Sequence, residues 1–300
     1  MTDDRPRIGF VGIGNMGRPM AANVAKAGFP LGVLDIDVNR ALSFAQATGA
    51  RAADSAADLA RASDVVITML PTGREVRQAL LEAEGGALAK GLKPGTVVVD
   101  MSSADPVGTR ALGAELKTRG IALVDAPVSG GMPRAETGTL AIMVGGDDEA
   151  AIARVLPLLQ SMGKQVFRTG PLGSGHAMKA LNNYVLAAAF AASSEALILG
   201  AKFGLDPEVM IGVLNASSGR NAATEGPIKD HVVTGKYAAG FALALMAKDV
   251  GIARAMAAAT GAAAPLVDLV SGLWAEARDT MPAGADFTTA HRHWSARNGG

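Results

Sequence analysis

The stretch from Pro171 to Lys202, PLGSGHAMKALNNYVLAAAFAASSEALILGAK, limits what this chain can become more than any other. Ala, Leu and Met dominate it, all strong helix formers, and no proline follows the first residue. A helix from Gly175 to Ala201 would run about 40 Å at 1.5 Å per residue, long enough to serve two domains. It is apolar on nearly every face, which predicts burial all round. Lys179 and Asn183 stand four residues apart and share one face, with Asn182 beside them. Lys179 has two readings on its own residues. Its amine can snorkel to water from near the helix start. It can also be desolvated and move a proton, with Asn183 orienting the same substrate oxygen.

Composition narrows the classes. The chain has 300 residues, 49% hydrophobic and only 19% charged, which suits two packed domains rather than a disordered protein. A net charge of zero gives no general attraction to nucleic acid or to an anionic membrane. There is no cysteine, so no disulfide framework and no thiolate zinc site. The opening MTDDRPR is polar and acidic, unlike a signal peptide. The most membrane-like run, Ala180–Leu199, contains Asn182, Asn183 and Glu195, and a cytoplasmic protein is the expectation. His291 and His293 are close, but no third ligand stands at metal spacing, so no metal is expected.

The N-terminal half alternates strand and helix. Arg7–Val11 reads as a strand, Gly12-Ile13-Gly14-Asn15-Met16-Gly17 as a turn, and Arg18–Ala27 as a helix stopped by Gly28. In this order Gly12 makes the tight turn, Gly14 lets a pyrophosphate approach backbone, and Gly17 lets helix and strand pack closely. The helix N-terminus then offers its free N–H groups to phosphate. Leu31–Leu34 reads as the second strand, and Asp35 follows it, eighteen residues after Gly17. A carboxylate there accepts both ribose hydroxyls and repels a 2′-phosphate, which favours NAD. It is also a common turn residue, and Arg40 keeps NADP possible.

Val65–Met69 and Thr96–Val99 are continuous apolar runs, as expected of parallel strands buried on both faces. Glu75–Ala83 and Pro106–Arg119 read as helices between them. The loops after these strands, Leu70-Pro71-Thr72 and Asp100 to Ser103, lie where an open α/β sheet binds ligands. Ile121–Ala126 is a further strand, followed by Ser129-Gly130-Gly131. That loop is either a flexible turn or a concavity of N–H groups suited to a carboxylate. Leu140–Val144 and Gln165–Arg168 read as strands around a helix, Asp147–Met162, capped by Gly145-Gly146-Asp147.

Beyond the long helix no segment alternates like a strand, so an all-α domain is expected. Asp206 caps a helix with Pro207 at its first position, Ala216–Arg220 is a loop, and Leu243–Thr260 and Pro265–Arg278 are helices. Lys248–Asp249 reads as an exposed charge pair on a helix. Trp274 and Trp294 pack in a core or at a subunit contact, and the tail from His291 to Gly300 is loose. The fold class is therefore α/β: a mostly parallel N-terminal sheet of Rossmann type (residues 1–168) joined by the long helix to an all-α domain (169–300). Exposed apolar helix faces in such a domain predict a homo-oligomer.

Four separated motifs carry a resemblance. GFVGIGNMGRPMA (Gly9–Ala21), DAPVSGG with TGTL (Asp125–Leu140), GSGHAMKALNN (Gly173–Asn183) and LMAKDVGIA (Leu245–Ala253) match, in order, the β-hydroxyacid dehydrogenases. That group includes 3-hydroxyisobutyrate dehydrogenases and tartronate semialdehyde reductases, and the likeness spans nearly the whole chain. The resemblance implies a catalytic role for Lys179 and a substrate contact for Asn183. It implies a carboxylate-binding loop at Ser129, Gly130 and Gly131, and cofactor contacts at Leu70, Pro71, Ser103 and Lys248. Many members carry glycine where this chain has Arg134, so substrate size or charge can differ. Imine reductases resemble the architecture but typically lack the lysine, and decarboxylating 6-phosphogluconate enzymes have a larger C-terminal domain.

The expected reaction moves a hydride between NAD and a small 3-hydroxy acid held between the domains. Lys179 takes the hydroxyl proton, its pKa brought down from about 10.4 by burial and the nicotinamide charge. Tartronate semialdehyde reduction is the nearest alternative. A nucleotide-binding regulatory protein without chemistry is the alternative of another class, and Lys179, Asn183 and the Ser-Gly-Gly loop together speak against it.

Overall fold

The computed structural model describes residues 5–82 and 87–299. The expectations that touch Met1–Asp4, Ala83 and Gly300 lie outside the described residues. The chain forms two compact units, Met1–Lys179 and Ala180–Gly300. Against an expected boundary at 168/169, this division falls within the long helix, whose first turns pack with the first unit.

The first unit runs β1 (Ile8–Val11), α1 (Gly17–Lys26), β2 (Leu31–Leu34), α2 (Val38–Thr48), β3 (Arg51–Ala52), α3 (Ala56–Arg61), β4 (Val65–Thr68) and α4 (Gly73–Arg77). It continues with β5 (Val97–Asp100), α5 (Pro106–Lys117), β6 (Ala122–Asp125), β7 (Val128–Ser129), α6 (Gly131–Glu136), β8 (Leu140–Gly145), α7 (Glu149–Met162) and β9 (Gly163–Gly170). The long helix is α8, Ser174–Phe203. The strand order is β3-β2-β1-β4-β5-β6-β8-β7, with β9 on β8. Pairing is parallel from β3 to β6, and β8 runs antiparallel to β6.

Strands β1, β4 and β5 are buried at every position, which is why they read as unbroken apolar runs. Their alternate side chains feed two cores. Ile8, Phe10, Val65, Ile67, Val97 and Val99 meet α1 and α7 on one face. Val11, Val66, Val98, Leu59, Leu112 and Leu116 pack on the other. Successive strands run outward from β1 in both directions, so the order reverses between β1 and β4. In such sheets that reversal opens a crevice at the carboxyl ends of the strands.

Several details depart from the sequence reading. Asp148, not Asp147, caps α7 by accepting from Ala151 N–H, while Asp147 accepts from Leu172 N–H at 3.0 Å. The helix expected over 75–83 starts at Gly73 under a Thr72 cap and widens to a π-helical segment over Gln78–Glu82. Helices α3 and α6 and strand β3 are too short to leave a pattern, whereas α2, capped by Asp37 and ended by Gly49, carried signals that the sequence reading passed over. The long helix is not buried all round. Met178, Leu181, Val185, Leu199 and Phe203 are exposed, because its partners within this chain cover only part of its surface.

The second unit contains the rest of α8, then α9 (Pro207–Ala216), a π-helical segment (Thr224–Val233), α10 (Leu243–Thr260), α11 (Pro265–Thr280) and α12 (Ala290–Ala296). Among the described residues its β pairing is a single bridge between Ala242 and Asp286. Asp206 caps α9 through Glu208 and Val209 N–H, with Pro207 next. Ala187, Phe190, Ala191, Leu197 and Ile198 of α8 enter its core. Length and hydropathy would let α8 span a membrane, and one side of it packs into the core of this unit. Phe190, Trp274, Phe287 and Trp294 form an aromatic cluster, with Trp274 and Trp294 5.4 Å apart and edge-on. The tail expected to be loose is instead helical over Ala290–Ala296, held by the buried Trp294.

Candidate active site

Four strand ends gather the expected cofactor residues of the first unit. Gly12–Gly17 follows β1, Asp35 follows β2, Leu70 and Pro71 follow β4, and Ser103 closes the loop after β5. The three glycines answer to three separate demands. Gly12 has φ +97°, and a Cβ there would stand 2.3 Å from the Met69 carbonyl oxygen. A Cβ at Gly17 would stand 1.8 Å from the Gly12 carbonyl oxygen. A Cβ at Gly14 would meet nothing within 4 Å, so its missing side chain leaves open space rather than relieving an internal clash. That cradle fits a pyrophosphate brought against backbone at the start of α1. Met16 caps α1 with no side-chain hydrogen bond, so no side chain competes for the first N–H groups.

Asp35 is tied down. Its Oδ2 accepts from Ile13 N–H at 2.6 Å and its Oδ1 from Asp37 N–H at 2.9 Å. The carboxylate thus fastens the glycine turn to the end of β2, and its remaining lone pairs stay open for a ribose. A cleft of about 550 Å³ beside the turn is lined by Ile13, Gly14, Asn15, Arg18, Arg40 and Phe44 among others. The Arg18 guanidinium lies 5.8 Å from the centroid of the Phe44 ring, and Arg40 pairs with Asp37 at 3.3 Å. Sequence reasoning passed over Arg18, although its place directly after the third glycine was a signal.

The loops after β4 and β5 are cross-linked. Leu70 N–H donates to Ser102 Oγ at 2.9 Å, Ser102 N–H to Asp100 Oδ1 at 3.0 Å, and Thr68 Oγ1 to the same oxygen at 2.9 Å. Thr72 caps α4, and its hydroxyl donates to Glu75, which holds that carboxyl below the usual carboxylate range. Pro71 is exposed and Ser103 half-buried.

The Ser-Gly-Gly loop turns from β7 into α6. Ser129 pairs with Ala141 of β8, and Gly130 and Gly131 have φ of +134° and +64°, which other residues rarely adopt. Both glycines are exposed and Ser129 is half-buried. The alkyl stem of Arg134 lies over Gly130, where a Cβ would come within 2.5 Å of it.

Lys179 is half-buried on the second turn of α8. The start of that helix is held by a carboxylate with no solvent exposure. Asp125, at the end of β6, accepts from Gly173 N–H and His176 N–H, each at 2.8 Å. Gly145 and Gly175 permit this approach, since a Cβ at either would come within 2.8 Å of the Asp125 carboxylate. A buried anion at a helix N-terminus meets both the free N–H groups and the dipole. Asp100, Asp125 and His176 form a buried polar group that sequence reasoning missed. The one signal was that Asp100 and Asp125 each end an apolar strand.

In the second unit Asn183 is buried and its amide is fixed. Its Nδ2 donates to Asp249 Oδ2 at 2.6 Å, and its Oδ1 accepts from Asn182 Nδ2 at 3.1 Å. Lys248 Nζ lies 3.2 Å from Asp249 Oδ1. The pair expected to be exposed is not: Asp249 is buried on α10, and it joins Asn183 to Lys248.

Comparison with known proteins agrees with this geometry. Residues 7–170 match the family described as the NAD binding domain of 6-phosphogluconate dehydrogenase. Residues 173–294 match the family described as NAD-binding of NADP-dependent 3-hydroxyisobutyrate dehydrogenase. The chain is 40% identical to an NAD-dependent L-serine dehydrogenase of Pseudomonas aeruginosa, over 89% of this chain and 91% of that one. It is 38% identical to a 3-hydroxyisobutyrate dehydrogenase of the same organism, over 99% and 100% of the two chains. A solved structure of Mycobacterium tuberculosis 3-hydroxyisobutyrate dehydrogenase with L-serine superposes at a TM-score of 0.86 and 36% identity, covering 97% and 99%. With the glycine cradle, both domain matches and full-length relatives in agreement, this chain belongs to the β-hydroxyacid dehydrogenase family.

Proposed function

We propose that the protein oxidises the primary hydroxyl of a small 3-hydroxy acid, with NAD as the redox partner. The observation that carries this is the glycine cradle, open at Gly14 and closed by Asp35. The named relatives suggest the substrate class. L-Serine and 3-hydroxyisobutyrate share a hydroxymethyl group, a carboxylate, and one small substituent on the carbon between them. Reduction of tartronate semialdehyde is the same chemistry run backwards.

Gly12–Gly17 and the start of α1 would hold the pyrophosphate, Asp35 the adenosine ribose, and Leu70, Pro71, Ser103 and Lys248 the nicotinamide half. When bound, the nicotinamide supplies the two-electron acceptor. Ser129 and the N–H groups of Gly130 and Gly131 hold the substrate carboxylate. Lys179, as the free amine, accepts the hydroxyl proton while the carbon gives up its hydride, and the product is an aldehyde. Asn183 donates to the same oxygen, its amide kept in one orientation by Asp249 and Asn182.

The Lys179→Ala variant tests this reading. General acid–base groups contribute roughly 10²- to 10⁴-fold, so turnover falls by that order while NADH still binds. The assay is NADH formation across a panel of small hydroxy acids. Activity within tenfold of the parent would show that another group moves the proton.

We also propose a homo-oligomer. The end of α8 exposes Leu199 and Phe203, α9 exposes Val209 and Val213, each pair four residues apart, and Leu205 is exposed in the connection between them, with Phe203 87% accessible. A patch of this kind calls for a partner surface. Sedimentation at micromolar concentration reads the mass, and a monomer would overturn the proposal.

A further inference from the structure

Asp100, Asp125 and His176 are buried together at the carboxyl ends of β5 and β6, each 2% exposed or less. None touches the reacting atoms in the scheme above. Asp100 Oδ2 faces His176 Nε2 at 3.7 Å. On the other side of the ring, His176 Nδ1 lies 2.8 Å from Thr109 Oγ1 and 3.9 Å from Asp125 Oδ2. Nε2 is fully buried and has no hydrogen-bond partner.

The proton on the imidazole can be placed by elimination. With hydrogen on Nδ1 alone, Nε2 presents a bare lone pair to a carboxylate oxygen inside the protein. That leaves a buried acceptor unpaired and sets it against an anion. With hydrogen on Nε2, the N–H dipole points at the carboxylate; Nδ1 then either accepts the Thr109 hydroxyl, which gives up its 2.9 Å bond to the Asp105 carbonyl, or, in a doubly protonated ring, donates to Thr109 Oγ1 and leaves that bond in place. A doubly protonated ring also carries hydrogen on Nε2. The arrangements that avoid setting a bare lone pair against the Asp100 carboxylate carry a hydrogen on Nε2.

We propose that His176 keeps a proton on Nε2, aimed at Asp100, and that His176 is thereby a positioning residue for the dehydrogenase reaction. The route lies within the first unit. Leu70 is held by Ser102, Ser102 by Asp100, Asp100 faces His176, and His176 stands three residues before Lys179 on α8. Two hydrogen bonds and the 3.7 Å approach of Asp100 to His176 so run from the loops assigned to the nicotinamide to the helix start that carries the amine. The imidazole sets how firmly those two are registered. This rests on the role given to Lys179.

Histidine ¹⁵N resonances of the full-length protein without nucleotide read the tautomer directly, with His176→Gln assigning the His176 signals. A protonated-type Nε2 is expected, and an unprotonated-type Nε2 overturns the proposal whatever the activity. Two variants read the positioning. Glutamine can place an amide N–H near the Nε2 position, whereas leucine fills the space without a donor. His176→Leu is expected to lose at least about tenfold in kcat, with KM for the hydroxy acid kept within about threefold. His176→Gln is expected to retain kcat within about threefold. Equal loss in both variants, or an unimpaired leucine variant, refutes positioning through Asp100. Should the leucine variant fail to fold, the tautomer and the glutamine variant still decide. An active Lys179→Ala variant would instead remove the reading of the site while leaving the tautomer intact.

Discussion

Gly14 and Gly17 give a paired test of the cofactor cradle, because a side chain at Gly17 would strike backbone whereas one at Gly14 would enter open space. In Gly17→Ala the new methyl would meet the Gly12 carbonyl oxygen at 1.8 Å, whereas ordinary contact starts at 3.4 Å. The start of α1 must move by about the 1.6 Å difference, away from the turn that it caps. Overpacking of this kind costs about 1–3 kcal/mol, and displacement on this scale can lower function by roughly 10²-fold. In Gly14→Ala the methyl meets nothing within 4 Å, and φ is not in the left-handed region. Stability should stay the same or rise by about 0.4–1 kcal/mol, since the unfolded chain loses freedom. The methyl instead occupies the space left for the pyrophosphate. Urea unfolding and NADH titration of both variants separate the two effects. Gly17→Ala should lose stability and binding together, and Gly14→Ala binding alone, by at least about tenfold, or 1.4 kcal/mol. A Gly14→Ala protein that binds NADH as tightly as the parent would show that the dinucleotide does not approach this turn as described.

Two further outcomes follow from carboxylates. Asp35→Asn removes the charge that repels a 2′-phosphate while keeping one acceptor oxygen, so the kcat/KM ratio of NAD to NADP should fall by about tenfold. A parent enzyme that prefers NADP would refute the role given to Asp35. Asp64 takes a two-pronged hydrogen bond from Arg7 at 2.8 and 3.0 Å, which holds its carboxyl at about 2 rather than 3.8. A depressed acid stabilises the fold above its unfolded pKa, and that contribution disappears as pH drops from about 3.8 to about 2. The pair is partly exposed, so solvent screening reduces its worth to about 1 kcal/mol. Asp64→Asn should therefore be less stable by about that amount at neutral pH, with the gap narrowing below pH 4 and closing only below about pH 2. A urea-unfolding difference that stays constant over this range would contradict the assignment.

Much of the fold was legible because its signals are local. Unbroken runs such as Val65–Thr68 report burial on both faces, and Asp206-Pro207 marks a helix start by chemistry that does not depend on the rest of the chain. What escaped depends on distant partners. Asp249 reads as an exposed charge until Asn183, 66 residues earlier, is placed against it. Asp125 reads as a strand end until the N–H groups of Gly173 and His176 arrive. The tail read as loose because it is polar, yet Trp294 enters the aromatic cluster, Arg297 pairs with Glu276 and Arg292 lies over the Tyr237 ring. Nor could periodicity reveal that α8 leaves a side uncovered, since an all-apolar helix carries no mark of which flank faces a core.

The edge-on pair of indoles has a spectroscopic consequence. The chain contains two tryptophans, and both sit in the helical unit. Ultraviolet emission excited at the red edge of their band therefore watches that half of the molecule, while the nucleotide-binding half stays dark. At 5.4 Å the two rings are close enough for their transitions to couple, so circular dichroism in the same band should carry a signature that vanishes once they part. Followed together with emission from added NADH, this would time the loss of each half independently during denaturation, without a label.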